Sequence, residues 1–377
     1  MDALMLPLNW QRVRLGDILS YEQPTKYLVA TTQYLQKGFT PILTAGKTFI
    51  LGYTNDKHGI YTNIPVIIFD DFTTDSKMIN FPFKVKSSAI KILSLRDNNQ
   101  ADLKYIYEKL TLLKYQVTDH KRYWIDEFSN FEILLPPLNE QSAIANILSG
   151  LDRYLYALDA LILKKEGVKK ALSFELLSQR KRLKGFNQAW QRVRLGDIAE
   201  IVKGQQINKI SLNNTDKYPV INGGIDFLGY TNKFNVSKNT IAISEGGTCG
   251  YVRFMTSNFW SGGHNYSLQK ISNKVNNLCL YHILKSYEKD IMKLGVGSGL
   301  KNIQLKALKD FEIPLPPLNE QSAIANILSA LDNEIASLKN KKRQFENIKK
   351  ALNHDLMSAK IRVLKKSAFH RNDHFKP

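Results

Sequence analysis

Several short stretches of this 377-residue chain have residue types and spacings that suggest chemistry. Ala45-Gly46-Lys47-Thr48 ends like a phosphate-binding loop, but that loop needs a glycine five residues before Gly46, and the position is Pro41. Gly295-Val296-Gly297-Ser298-Gly299 has the glycines of a dinucleotide turn, yet it follows a helical pattern rather than a strand and reads as a flexible loop. Asp70-Asp71 with Lys77 and Lys84 lacks the arrangement of a nuclease centre, and the seven histidines show no paired metal-ligand spacing. Cys249 and Cys279 cannot build a metal cluster by themselves and read as reduced core or loop residues. His120 reads as a loop or phosphate-contact residue rather than a general base. These stretches assemble no active site, so the expectation is no catalytic residue and no metal.

Positive charge is what the chain carries in excess. Lys+Arg number 53 against 34 for Asp+Glu, a net charge of +19, which is the footprint of a protein that works on a polyanion. Reading DNA needs Lys and Arg for phosphates and loop side chains at base edges, where Asn and Gln pair with adenine and Arg with guanine. Polar, glycine-supported turns supply both. In the second half they are Lys203-Gly204-Gln205-Gln206, Asn222-Gly223-Gly224, Glu245-Gly246-Gly247, Arg253, His264-Asn265 and Ser298-Gly299-Leu300-Lys301. In the first half they are Thr44-Ala45-Gly46-Lys47, Asp70-Asp71, Thr73-Thr74, Lys84-Val85-Lys86-Ser87-Ser88 and His120-Lys121-Arg122. The candidate DNA contacts are the basic and polar side chains of these turns, with Gly46 for close backbone approach; the plainer reading of each glycine is a turn and nothing more.

The elements that position these turns come in two copies. Pro136-Pro137-Leu138-Asn139-Glu140-Gln141-Ser142-Ala143-Ile144-Ala145-Asn146-Ile147-Leu148-Ser149 recurs letter for letter at 316–329, and Trp10 to Ile18 recurs at Trp190 to Ile198, both at a spacing of 180 residues. A period of that length makes each copy a domain plus a connecting element. Trp10 to Ile18 predicts a short strand entering the body of a domain. Thr40-Pro41-Ile42-Leu43, Val66-Ile67-Ile68-Phe69 and Ala89-Ile90-Lys91-Ile92-Leu93 read as strands, and Asp102 to Lys114 as a helix. The second copy repeats the order with Tyr218 to Ile221, Thr240 to Ile243, Tyr266 to Gln269 and a helix over Leu278 to Leu294. Leu51-Gly52-Tyr53-Thr54-Asn55 returns at Leu228 to Asn232 with an offset of 177, so the loops differ in length inside one frame.

After each double proline the spacing becomes that of a long helix, with Asn139 as N-cap and Glu140 in the first turn. Ile144, Leu148, Leu151, Leu155, Leu158 and Ile162 form an a/d seam, matched by Ile324, Leu328, Leu331, Ile335 and Leu338. A helix from Asn139 to Lys184 spans about 65 Å, and its seam needs the other copy's helix as partner.

A variable domain, a Leu-Pro-Pro-Leu-Asn-Glu-Gln-Ser-Ala-Ile helix, a second variable domain and the same helix again resemble the specificity subunit of type I restriction-modification systems. The resemblance covers nearly the whole chain and rests on the duplicated helix start and on the Trp-x-x-Val-x-Leu-Gly-Asp-Ile opening of each copy. It implies an α+β fold with two homologous α/β target-recognition domains, 1–135 and 185–315, separated by two long antiparallel coiled-coil helices, 136–184 and 316–365, in a pseudo-two-fold internal repeat. Residues 366–377 form a basic tail read as disordered. The resemblance also implies a non-catalytic subunit that binds a bipartite, asymmetric double-stranded DNA site, docks two methyltransferase subunits and meets restriction subunits through the complex. Partner binding or the helix frame then falls on Asn139, Glu140, Gln141, Ile144, Leu148 and Leu151, and on Asn319, Glu320, Gln321, Ile324, Leu328 and Leu331. No cofactor is expected in this chain, with S-adenosylmethionine, ATP and Mg on the partners. Met1 to Asn9 has no basic start followed by an apolar run, and no stretch of about 18 apolar residues occurs, so a cytoplasmic protein off the membrane is expected. The competing classes are a fused methyltransferase or nuclease with unrecognised motifs, and a purely structural coiled coil; about two thirds of each copy reads as globular, which opposes the latter.

Overall fold

Alternation of small apolar runs with turn residues gives the chain its strands, and the same order of elements appears twice. In a computed structural model that describes residues 9–44, 48–113 and 122–363, the first copy runs β1 (Gln11–Arg14), α1 (Leu15–Ile18), β2 (Leu19–Glu22), β3 (Thr40–Leu43), β4 (Ile50–Thr54), β5 (Val66–Asp70), β6 (Ser76–Ile79), β7 (Lys84–Val85), β8 (Ile90–Leu95), α2 (Leu103–Leu112), α3 (Tyr123–Asp126), β9 (Glu132–Leu135) and the long α4 (Leu138–Leu177). The second runs β10 (Gln191–Arg194), α5 (Leu195–Ile198), β11 (Glu200–Lys203), β12 (Tyr218–Ile221), β13 (Gly229–Thr231), β14 (Thr240–Ser244), β15 (Val252–Met255), β16 (Trp260–Ser261), β17 (Asn265–Gln269), α6 (Asn277–Ser286), α7 (Glu288–Met292), β18 (Gly295–Val296), β19 (Asn302–Ile303), α8 (Leu305–Lys309), β20 (Glu312–Leu315) and the long α9 (Leu318–Met357). The chain divides into unit 1, residues 1–157 with 342–377, and unit 2, residues 158–341.

Within unit 1 the sheets are β2-β8-β5-β6, β4-β3-β7 and β1-β9. The run Val66 to Asp70 is buried on both faces. Ile67 and Phe69 enter the core with α2, Trp124 and Phe128, while Val66 and Ile68 enter a second core with Leu43, Tyr61 and Phe83. Two-sided burial explains why this strand is continuously apolar rather than alternating. Asp102 caps α2 by accepting from the Lys104 and Tyr105 amides. Unit 2 repeats the layout as β11-β17-β14-β15, β13-β12-β16 and β10-β20, with β18-β19 added. The helix expected over Leu278 to Leu294 is broken at Tyr287 (φ −91°, ψ 8°) into α6 and α7, and Glu288 in the first turn of α7 accepts the Val252 amide at 2.8 Å.

The identical text at the two helix starts builds two identical joints. Both helices start one residue before the asparagine expected to cap them; the Pro137 carbonyl accepts from the Glu140 and Gln141 amides, and Asn139 Oδ1 also accepts from Glu140 N at 2.9 Å. In unit 1 the Gln141 amide group accepts from Asp102 N at 2.9 Å and donates to the Gln100 and Pro136 carbonyls. In unit 2 Gln321 accepts from Asn276 N at 2.7 Å and donates to the Lys274 and Pro316 carbonyls. Glu140 takes Trp10 Nε1 at 3.2 Å and a two-point grip from Arg362 at 2.6 and 2.8 Å. Glu320 takes Trp190 Nε1 at 3.0 Å and Arg182 at 2.8 and 2.7 Å. These arginines arrive because each long helix stops short: α4 ends at Leu177 rather than Lys184, and the chain turns through left-handed Gln179 (φ 62°), as it does after α9 through Ala359 (φ 60°).

Of the residues expected for partner binding or the helix frame, most take the frame. Glu140, Gln141, Ile144, Leu148, Glu320, Gln321, Ile324 and Leu328 are buried inside their own units, Leu151 and Leu331 are half-buried, and only Asn139 and Asn319 of that set are exposed. In unit 1 Ile144 and Leu148 pack with Leu356 and Met357 from the end of α9, and Tyr154 meets Phe345. In unit 2 Ile324 and Leu328 share a core with Leu177, while Lys165 pairs with Glu334 and Lys169 with Asp332. Rising numbers on α4 meet falling numbers on α9 in both units, so the helices run antiparallel. Burying each seam side chain is worth about 1.5–3 kcal/mol, enough to hold the pairing.

Candidate nucleic-acid interface

At the loop end of unit 2 the sequence-predicted residues converge. Gly204 N donates to the Asn265 carbonyl and Gln205 N to the Ser261 carbonyl, both at 2.8 Å, which ties the Lys203–Gln206 loop to the end of β16 and the start of β17. Trp260 Nε1 donates to the Gln205 carbonyl at 2.8 Å, and His264 N donates to Asn222 Oδ1 at 3.0 Å. Lys203 Nζ reaches Glu245 Oε1 at 2.6 Å, and His264 Nδ1 lies 3.7 Å from Glu245 Oε2. A Cβ on Gly246 would stand 2.2 Å from Asn302 Oδ1, so the β18-β19 hairpin that carries Ser298 and Lys301 closes against the same place. Lys203, Gln205, Gln206, His264, Ser298 and Lys301 are exposed there and Asn222 is half-buried. The result is a surface of cations and amide side chains on a backbone floor.

Two predicted contacts in unit 2 are corrected. Asn265 is 2% exposed and cannot reach a base edge. Arg253 is committed to its own domain: Nη2 donates to the Gly224 and Ile225 carbonyls at 2.7 and 2.5 Å, and its guanidinium lies over Phe227 and Tyr251. It braces the 224–227 loop instead of offering a fork to guanine.

Unit 1 places Thr44 beside β7, with Lys86 N on the Leu43 carbonyl at 2.9 Å, and brings Ser87 and Ser88 next to Asp71, whose amide donates to the Ala89 carbonyl at 3.1 Å. Thr73 and Thr74 sit in a turn closed by Asp70, which accepts from Thr73 Oγ1 at 2.6 Å. Lys86, Ser88, Thr73 and Arg122 are exposed. Lys84 is corrected: it is 6% exposed, and its ammonium is spent on Asp56 at 3.2 Å and the His58 carbonyl at 3.0 Å. Gly46, Lys47, His120 and Lys121 lie outside the described residues, as does the tail 366–377. The Asp70-Asp71 pair is structural, since Asp71 is buried against Lys91 at 2.8 Å and accepts the Trp124 amide at 3.0 Å.

The sequence reading placed the Glu245 turn at the interface without giving its carboxylate a role, and it gave none to the paired Trp10 and Trp190 indoles. Aligning the two copies strand by strand supplies the signal for both, because it shows which polar positions change and which do not.

A test of the loop geometry follows from Gly204. A Cβ there would lie 2.2 Å from the Gly262 carbonyl oxygen and 2.5 Å from that of Ser261, both backbone. Gly204→Ala is expected to destabilise unit 2 by about 2 kcal/mol and to displace Lys203, Gln205 and Gln206. Gly299→Ala, which meets nothing within 4 Å, is the neutral control. Equal melting of the two variants in urea would contradict this.

Comparison with known proteins agrees with the repeat. A sequence model of the type I restriction modification DNA specificity domain matches residues 7–165 and again 187–347. The type I restriction enzyme EcoR124I/EcoR124II specificity subunit of Escherichia coli is 34% identical over 367 residues, covering 88% of this chain and 89% of that protein. The type I restriction enzyme MjaVIII specificity subunit of Methanocaldococcus jannaschii is 25% identical over 409 aligned positions, covering 96% and 95%. The crystal structure of the type I restriction-modification system S subunit from M. genitalium shares the fold, with a TM-score of 0.73 at 21% identity over 94% of this chain and 97% of that one. No described helix is long and apolar enough to cross a membrane. With the domain model falling once on each repeat and similarity to a specificity subunit running nearly end to end, the chain belongs to the type I restriction-modification DNA specificity family.

Proposed function

We propose that the chain is the non-catalytic reading subunit of a type I restriction-modification complex, with unit 1 reading one half of a split, asymmetric double-stranded DNA site and unit 2 the other. One observation carries this: two copies of one frame, with identical joints, present different side chains at corresponding loop ends. Among the described residues these are Thr73, Lys86, Ser88 and Arg122 in unit 1, and Lys203, Gln205, Gln206, Asn222, His264, Ser298 and Lys301 in unit 2. Identical frames with unlike reading surfaces fit a bipartite target whose halves differ.

Two methyltransferase subunits dock on the long helices in this reading. Support comes from the part of the duplicated text that the joints leave free: Asn139, Asn146 and Ile147 on α4, and Asn319 and Asn326 on α9, are exposed. Two copies of one partner require two copies of one surface. S-adenosylmethionine, ATP and Mg belong to the partner subunits, and restriction subunits join through the complex.

The test is co-production with the methyltransferase subunit in a host lacking other modification, followed by sequencing of methylated DNA. The expected motif is two unlike half-sites with a fixed unread gap. Binding of the purified complex should fall steeply with salt, since each phosphate contact adds about −0.9 to the slope of log affinity against log salt. A palindromic motif, or a flat salt response, overturns the proposal.

A further inference from the structure

At one position of the repeat, a carboxylate that unit 1 pairs in its interior is covered in unit 2 by half-exposed side chains. Across β5 and β8, Asp70 faces Ile90 and Phe69 faces Lys91; across β14 and β17, Ser244 faces Asn265 and Ile243 faces Tyr266. Asp71 and Glu245 therefore occupy one position of the fold, and Lys91 and Tyr266 another. In unit 1 the two groups neutralise each other in the interior, with side chains 6% and 4% exposed. In unit 2 tyrosine stands in place of that lysine. Its hydroxyl lies 3.3 Å from Glu245 Oε1 and 2.9 Å from the Ile303 carbonyl, which share its one proton, and it brings no positive charge.

The Glu245 carboxylate is instead covered from outside. Lys203, at 2.6 Å, and His264, at 3.7 Å, have side chains 54% and 53% exposed. Beneath them the backbone of Glu245 is pinned on both sides, its amide donating to the His264 carbonyl and its carbonyl accepting from Ile303 N, each at 2.9 Å. The neighbouring turns pack backbone to backbone: a Cβ on Gly223 (φ 77°) would lie 2.6 Å from the Gly246 oxygen, and one on Gly247 (φ 68°) 2.9 Å from the Gly223 oxygen. Glycine at both lets the two turns adopt left-handed backbone and pack against each other directly. The combination is a fixed carboxylate on a bare floor under two movable lids. The lysine lid holds it weakly, because an ion pair of such exposure contributes little to stability.

A carboxylate accepts hydrogen bonds and donates none. In the major groove, guanine shows two acceptors, thymine an acceptor, and adenine an acceptor beside its amine; cytosine alone shows an amine without an adjacent acceptor. Building on the reading of unit 2 as a half-site reader, we propose that Glu245 is a specificity-determining residue. On binding, Lys203 moves from Glu245 to a DNA phosphate, and the uncovered carboxylate accepts a hydrogen bond from the N4 amine of one cytosine in the half-site of unit 2.

The experiment uses the full chain in complex with its methyltransferase subunit. Methylated motifs are sequenced for the wild type and for Glu245→Gln, Lys203→Ala and Asp71→Asn, and the purified complexes are also selected against randomised duplexes, which reads preference without requiring methyl transfer. Glu245→Gln is expected to cut discrimination at one cytosine of one half-site by about tenfold or more, with the other half-site unchanged. Lys203→Ala should keep every base and lower the salt slope by about one. Asp71→Asn should change no base of the motif. An unchanged motif in Glu245→Gln overturns the inference, and so does its loss of binding to every sequence, which would assign Glu245 to the loop framework. A wild-type complex with no split motif would instead reject the proposed function itself, so the two failures are distinguishable.

Discussion

Replacing Arg182 by alanine is expected to destabilise unit 2 by about 3 kcal/mol, because it leaves the Glu320 carboxylate, 1% exposed, without a cation in the interior. Trp190 Nε1 remains as one donor, which cannot neutralise a buried charge. Arg362→Ala should act on unit 1 in the same way through Glu140, and more mildly, since its guanidinium is 37% exposed against 25% for Arg182. Hydrogen exchange during urea unfolding locates each loss in its unit. Glu320→Gln in the Arg182→Ala background is expected to recover part of the stability, because the amide removes the uncompensated charge while still accepting from the indole. If Arg182→Ala melts within about 0.5 kcal/mol of the wild type, the grip is a surface contact and the joint is held by Gln321 and the core alone.

The joints were legible in the sequence as repeated text, and their meaning was not. Trp10, Glu140 and Arg362 lie far apart in sequence, and no spacing announces that they meet. What could be read was the demand of the seam: Ile144 and Leu148 had to be covered, and they are, although by their own domain as well as by the facing helix. Local signals failed where a distant group intervened. Asn139 has the chemistry of an N-cap, but the helix already starts at Leu138, with the Pro137 carbonyl taking the Gln141 amide as its first helical bond. Lys84 looked like a phosphate contact until Asp56 claimed it across the sheet. Arg253 has the chemistry to read guanine, yet two carbonyls of the 224–225 turn take its donors. Among the reading loops, the glycine turns of unit 2 were legible one by one, because glycine and amide residues cluster at strand ends, and their meeting was not. The Glu245 centre was not, since Lys203 and Tyr266 come from neighbouring strands and only the register brings them to it.

The same comparison of copies sets an acid limit on unit 2. In unit 1, α2 places Glu108 where Lys104, Lys349 and Asn353 surround it, and Asp152 closes a ring with both lysines. At the corresponding position α6 carries His282, 3% exposed, with Nε2 at 3.1 Å from Ser329 Oγ. Burial pushes this imidazole down to about 4 against the partial support of Asp332, and Lys169 adds repulsion. The folded state therefore keeps His282 neutral while the unfolded chain protonates it near 6.5. Between those two values the unfolded state binds the extra proton, so stability falls as the pH drops from 6.5 towards 4 and is unaffected by this group above 6.5. The full loss is about 3 kcal/mol, at 1.36 kcal/mol per pKa unit. His282→Gln, which retains a partner for Ser329, is expected to flatten the pH dependence of unit 2 in that window and to leave that of unit 1 untouched. Urea midpoints read by hydrogen exchange at pH 7, 6, 5 and about 4.5 measure it, and a wild-type unit 2 whose midpoint does not move across that range would mean that the imidazole takes up its proton in the folded state.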